Sequence, residues 1–335
     1  MMVKLRRSLA STWIALFLGL AACSANVPAA TRQAPLIPTA SPSTLPSATA
    51  GATLTPALAA SSTDSPTASL VPNHPVLNFS NPVMSVLAET LPGPDDLLQA
   101  PDGSIYISDV SDGTVRLLMP DGKLQVLLTG LSVPEGMVLL PDGSLVIAEQ
   151  GKNRLVRYDP QAKLLKPFFN LENKTRNAGV DGISLDARPG EPLTLIIPDS
   201  PNGRVLRLSP DGQKLTEIAH GFLRPTGAWV EPDGSILVVD ENAGLLSRIH
   251  PDGKVEHIAS LPTPDDVIED GAGDIFVCTL GDNAIHLIQA LTKQDDLLIR
   301  GLNGPQGLIF DAAGDLVVAD SGSHRLVKIS LHGSS

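Results

Sequence analysis

The sequence predicts an all-β fold: a six-bladed β-propeller with four antiparallel strands per blade, built from residues 76–335. Three observations lead there. Six segments open on a short turn-like triplet, and the middle residues of those triplets lie 40, 46, 45, 39 and 41 residues apart. A period of that size is the signature of a propeller or a solenoid. Each repeat is written in short apolar runs separated by tight turns, with none of the 3.6-residue periodicity of a helical array. The composition agrees, with 29 Gly, 29 Pro and only 3% aromatic residues, which suits many short strands and turns.

The triplets are Pro94-Asp95-Asp96, Pro134-Glu135-Gly136, Val180-Asp181-Gly182, Pro225-Thr226-Gly227, Pro264-Asp265-Asp266 and Pro305-Gln306-Gly307. A short apolar strand follows each, such as Met137–Leu140 or Leu308–Phe310. A turn comes next, often Pro-Asp-Gly as at 101–103, 141–143 and 232–234. Proline pre-sets the turn's φ and glycine supplies a positive φ without a Cβ clash. The second strand is rich in branched residues, as in Ile105–Ser108 or Ile236–Val239, and a third follows a short loop, as in Thr114–Leu118. A further turn leads to a fourth, such as Leu124–Leu128. The sixth repeat ends after its third strand, and Met84–Ala88 ahead of the first triplet reads as an orphan fourth. The N-terminal strand is therefore expected to complete the last blade, pairing edges that would otherwise stay open.

The residues before the propeller read as an address and a tether. Residues 1–22 carry Lys4, Arg6 and Arg7 and then an apolar stretch from about Leu9 to Leu20, the layout of a signal peptide. The run Leu20-Ala21-Ala22-Cys23 is similar to the lipobox of bacterial lipoproteins. That resemblance implies cleavage before Cys23 and acylation of its thiol, which would hold the chain on a membrane outside the cytoplasm. The alternative is an ordinary signal peptide with an incidental cysteine. Of the 52 residues from 24 to 75, 37 are Ala, Ser, Thr or Pro. Such a stretch has too little apolar surface to offset the entropy of ordering, and as a flexible coil it reaches roughly 40 Å. The domains expected are thus 1–22, 23–75 and 76–335.

Chemistry is expected at one mouth of the central channel. In an antiparallel blade the start of the first strand and the end of the second share an edge, so two series of residues meet there. The inner series is Asp95, Glu135, Asp181, Thr226, Asp265 and Gln306, four of them acidic, with Asp96 and Asp266 beside them. The second is Asp109, Glu149, Asp199, Asp240, Thr279 and Asp320, five of them acidic. One residue type recurring in every blade points to a structural duty for the second series, each side chain closing its own loop. The inner residues differ between blades and face the channel. Converging carboxylates repel unless protons or a cation neutralise them, and a hard, oxygen-lined site suits a divalent metal, Ca²⁺ first.

Val318-Ala319-Asp320-Ser321-Gly322-Ser323-His324-Arg325-Leu326 is similar to the hallmark of an NHL repeat, and Pro264 through Leu280 to a gluconolactonase-type blade. Residues 80–330 as a whole resemble the six-bladed propellers of the regucalcin/gluconolactonase family and the NHL-repeat proteins. The resemblance implies metal ligands at the triplet's middle position: a Glu in the first blade, an Asn in the fourth and an Asp in the fifth. This chain has Asp95, Thr226 and Asp265 there, and Asp265 matches the ligand that also serves as base. The family's Arg-x-Asn-Asp-Gly in the third blade, whose Arg and Asn meet the substrate, is replaced by Arg176-Asn177-Ala178-Gly179-Val180-Asp181-Gly182. Arg176, Asn177 and the nearby Lys174 are the substrate-binding candidates, displaced relative to Asp181. The activity implied is metal-assisted hydrolysis of a small lactone or ester, with Asp265 taking a proton from water. The alternative is a non-catalytic propeller that binds a protein, a glycan or a small ligand.

Charge and motifs exclude other classes. The net charge of −12, or 21 − 36 = −15 once Lys4, Arg6 and Arg7 are removed, leaves no basic face for nucleic acid. There is no Gly-x-Ser-x-Gly elbow, no His-Glu-x-x-His and no phosphate-cradling glycine loop. Two cysteines make neither a disulfide scaffold nor a four-thiolate zinc site, and Cys278 reads as a buried, reduced thiol.

Overall fold

A computed structural model describes residues 82–172 and 179–331. Cys23 and the tether, together with Lys174, Arg176 and Asn177, lie outside them. The described residues form six four-stranded antiparallel sheets. In blades 1 to 5 the four strands follow one another in sequence, and the first lines the channel. Blade 6 is closed by the N-terminal strand Val83–Glu89, which pairs with Arg325–Ser330 from Val83 opposite Ser330 to Glu89 opposite Arg325. The expected six-bladed propeller and its closure are both present.

The triplets differ from expectation in an instructive way. They are not turns: five of the six are the first residues of the inner strand itself, as in Pro94–Gln99 or Pro264–Glu269. Proline suits a strand's first position because it has no N–H to offer the ladder. In blade 1 Pro94 faces Asp109 and Leu97 faces Ile107, so Asp95 and Asp96 together oppose the single residue Ser108. That is a β-bulge, which bends a strand and re-aims its side chains. The same two-against-one register occurs in blades 2, 4, 5 and 6. Blade 3 departs from it, since its inner strand is only Ser184–Asp186 and Val180-Asp181-Gly182 lies ahead of it.

Neighbouring blades are stitched at a recurring corner. Leu131, Leu171, Leu261 and Leu91 donate their N–H groups to the carbonyls of Gly113, Asn153, Gly244 and His324 in the blade before, at 2.9–3.1 Å. Each acceptor has a positive φ, between 49° and 68°. At Gly113 a Cβ would come within 2.3 Å of the Leu131 carbonyl oxygen, so glycine is required there. His324 takes the same corner with φ 58°, and its Nδ1 donates to the Pro92 carbonyl at 2.7 Å, joining blade 6 to blade 1.

The core lies between blades. Val146 and Leu155 of blade 2 share a cluster with Leu195 and Leu206 of blade 3, and Phe276 of blade 5 with Val318 of blade 6. Fully burying one such side chain contributes about 1.5–3 kcal/mol. The outer strands bury little, as Val86 and Val126 in blades 6 and 1 illustrate. A fixed ring of inner strands results, and it sets the spacing of every side chain at the mouth.

Candidate functional site

The second series of carboxylates is tied into the blades. Asp199 accepts from Arg204 Nε at 2.6 Å and from Asn202 Nδ2 at 3.0 Å. Asp320 accepts from Arg325 Nε at 2.7 Å and from the Asn303 N–H at 2.6 Å. Asp240 takes the N–H groups of Leu223 and Arg224, and Glu149 binds Arg154, Lys152 and the Ser132 N–H. Each closes its own loop, and Glu149, Asp240 and Asp320 also grip the segment entering the same blade. The fully buried Asp109 and Asp199 are thereby satisfied.

The inner series is built differently. Asp95, Glu135, Asp181 and Thr226 are buried and Asp265 is half-buried. Thr226 points its hydroxyl at the Asp265 carbonyl, 2.8 Å away, and so spends its proton on blade 5. Asp181 accepts from Arg224 at 2.7 Å and from Gln150 Nε2 at 3.2 Å. The carboxyl groups of Asp95 and Glu135 are neighbours that perturb each other. Asp265 has no hydrogen-bonding partner for its carboxylate among the described residues. The bulge accounts for the ring outside blade 3: with two residues opposite one, the middle residue of the triplet turns to the channel instead of into the blade.

Asp96 and Asp266, at the third position, act as struts. Asp96 accepts from the N–H of Met137 in the next blade at 3.0 Å, and Asp266 from that of Leu308 at 3.2 Å. Elsewhere the third residue is glycine because two backbones touch. A Cβ on Gly307 would lie 2.8 Å from the Asp96 Cα.

Electrostatics separate these groups. Burial, then the charges of Asp95 and Asp181, push the Glu135 carboxyl well above its ordinary range. Burial also raises Asp95, with Glu135 and Arg224 opposing the shift. Burial and the charges of Asp181 and Asp95 hold Asp265 well up. Asp181 is lifted to about 7 by burial although Arg224 pulls it down. Asp266 also reaches about 7 through burial, against the Leu308 and Val267 N–H groups. A ring of acids with so few compensating donors holds protons at neutral pH or takes up a cation.

All five inner residues proposed from sequence come together at one mouth, while Arg176, Asn177 and Lys174 lie outside the described residues. Sequence reading missed three neighbours: Arg224, Gln150 and Glu241. Arg224 forms an ion pair with Glu241 as well as with Asp181. Its signal was available, since Arg224 is the only charged residue directly preceding any of the six triplets. Among the described residues no three His, Cys, Asp or Glu side chains already stand in a metal-binding arrangement.

Residues 302–329 match the NHL repeat family. The chain carries an NHL repeat on a six-bladed propeller. Solved structures share that architecture at low sequence identity. A gluconolactonase from Xanthomonas campestris is 18% identical with a TM-score of 0.64, the match covering 76% of this chain and 91% of that one. A calcium-binding regucalcin from Agrobacterium tumefaciens is 16% identical at 0.61, covering 73% and 92%. A virginiamycin B lyase from Staphylococcus aureus is 14% identical at 0.58, covering 75% and 99%. Identities this low carry the fold alone. No curated protein matches the chain by sequence.

Proposed function

We propose that the acidic mouth is a divalent-cation site, Ca²⁺ first, at which a small lactone or ester is hydrolysed. The observation that carries this reading is Asp265, a raised carboxylate with no hydrogen-bonding partner among the described residues, beside the buried acids Asp95, Glu135 and Asp181. The donor set fits a hard cation, because every candidate atom is an oxygen and Asp95, Glu135 and Asp265 lack a cationic side chain hydrogen-bonded to them. Asp95, Glu135 and Asp265 would hold the ion, with the free lone pairs of the Thr226 hydroxyl. Asp181 is the weakest of the proposed ligands, since Arg224 already binds it. When bound, the cation supplies Lewis acidity for the substrate carbonyl.

The remaining steps belong to the chain's own residues. Asp265 takes a proton from the water that adds to the carbonyl, and a raised carboxylate is the stronger base for it. The acyl carbon–oxygen bond then breaks, and the leaving oxygen receives a proton from the raised Glu135 carboxyl. Arg224 is placed to orient the substrate's oxygens, with Arg176, Asn177 and Lys174 as further binding candidates. Acylation of Cys23 would keep this chemistry on a bacterial membrane, outside the cytoplasm; loss of palmitate labelling in Cys23→Ala is the expected result.

One observation favours the second reading, a non-catalytic binder of a protein, glycan or small ligand: the Asp181–Arg224 pair neutralises part of the ring without any metal. A thermal melt of the full chain with Ca²⁺, Mg²⁺ or chelator, repeated on Asp265→Ala, separates the two. A ligand that binds only the folded state raises the melting temperature by mass action. A Ca²⁺-dependent rise lost in Asp265→Ala, with hydrolysis of a lactone or ester panel, is expected. No metal response in either protein would leave the binder.

A further inference from the structure

The channel below the acids is a built cavity of about 410 Å³, within the range of small-molecule sites. Its long walls are apolar, with the half-buried Leu98, Trp229 and Ile309 among them. One end is closed by Asp95, Asp96, Asp181, Thr226, Asp265 and Asp266. The other end reaches Gln99 and Pro101, and accessibility rises along that path: Thr226 is buried, Trp229 is half-buried and Pro101 is exposed. The well is therefore entered from the face opposite the acidic mouth, with carboxylates as its floor. No Lys, Arg or His is among the lining residues described. Two shielded polar atoms of the lining, Gln99 Oε1 and Ser184 Oγ, have no hydrogen-bond partner among the described residues.

We propose that this well binds a small organic ammonium ion, its apolar body against Trp229 and Ile309 and its charged head at Asp96, Asp265 and Asp266. The fit is one of charge and surface together. An alkane fits the wall but leaves the acids unmatched, and a metal ion fits the acids but leaves the apolar wall uncovered. A carboxylate ligand is repelled by the floor. An amine with one aromatic or branched group satisfies both parts, and its N–H donors reach acids that face no cation within the cavity. The site goes beyond the hydrolase reading and needs neither a metal nor a reaction.

Trp229 reports on it directly. The chain has two tryptophans, Trp13 and Trp229, so full-length protein carrying Trp13→Phe leaves a single emitter in the wall. Benzylammonium, benzyl alcohol and benzoate are titrated at pH 8 in the presence of chelator. Benzylammonium is expected to change Trp229 emission saturably, binding about tenfold more tightly than benzyl alcohol, the worth of one charge-assisted hydrogen bond. Asp266→Asn, which keeps an acceptor for the Leu308 N–H, is expected to remove most of that preference. Equal binding of benzyl alcohol or benzoate would overturn the proposal, as would no saturable response to benzylammonium. The three probes on the parent protein decide the matter even if Asp266→Asn fails to fold.

Discussion

Glu135 and Glu149 lie fourteen residues apart in the same blade, and both are buried, at 6% and 1% exposure. Burial alone raises either carboxyl, yet the two move in opposite directions. In Glu149 the desolvation is overcome by Lys152, Arg154 and the Ser132 N–H, and its pKa falls. In Glu135 burial is reinforced by Asp95 and Asp181, and its pKa rises well above the ordinary range. One is a fastener with its own cations in the adjacent loop and strand. The other sits among acids, and no cationic side chain is hydrogen-bonded to it among the described residues. The difference separates a carboxylate that holds the fold from one that is held in readiness by it.

The sharpest way to break that comparison is to remove one member of each ring. Asp199→Ala strips the fully buried partner from Arg204 and Asn202. Breaking a buried pair from one side costs about 3–5 kcal/mol. Asp265→Asn removes a repelled carboxylate that has no hydrogen-bonding partner among the described residues, and is expected to change stability by less than about 1 kcal/mol or to raise it. Urea denaturation at pH 8 measures both. A larger loss for Asp265→Asn than for Asp199→Ala would end the distinction.

A smaller effect follows from titration. Asp181 and Asp266 move from an ordinary 3.8 to about 7 on folding, so the folded state holds more protons between those values. Stability therefore falls as pH rises from about 4 to about 7, by up to ~1.4 kcal/mol per pH unit for each group titrating. Glu149 and Asp186 work in the opposite sense, because their pKa values are lowered on folding. Their contribution is present above the ordinary carboxylate value and is lost as pH falls below it. A melting-temperature profile is thus expected to peak in mildly acidic solution and to decline on both sides. Asp266→Asn should flatten only the alkaline limb, and a cation that binds the inner ring should restore it.

Much of this was legible in the sequence, and the exceptions share a physical cause. The period of the triplets, the Asp-Gly turns and the orphan strand at Met84–Ala88 depend on local pattern, so the blades and their closure could be read directly. The duty of the second series was legible too, because Arg154, Arg204 and Arg325 follow Glu149, Asp199 and Asp320 at a fixed spacing of five. The bulge was not, since it arises only when Pro94 and Asp109 are paired in register. The Arg224–Asp181 contact spans 43 residues and two blades, and no local spacing announces it. The apolar well beneath the acids depends in the same way on six strands meeting.

The smallest expected effect compares blade 1 with blade 5, whose bulges both carry Asp at the third position. In blade 1 Ser108 closes the bulge, its Oγ accepting from the Asp96 N–H at 2.9 Å. In blade 5 the equivalent residue is Cys278, whose Sγ accepts from the Asp266 N–H at 3.3 Å and donates to the Gln306 carbonyl. A thiol there does a hydroxyl's work. Cys278→Ser is therefore expected to change stability by less than about 1 kcal/mol, whereas Cys278→Ala leaves two backbone groups without that partner and costs about 1–3 kcal/mol. The thiol is fully buried, and burial with the charges of Asp265 and Asp266 pushes its pKa well up, so it should resist thiol reagents until the chain unfolds. Rapid labelling of Cys278 in the native protein would show that blade 5 opens where blade 1 does not, and the two bulges would cease to be equivalent.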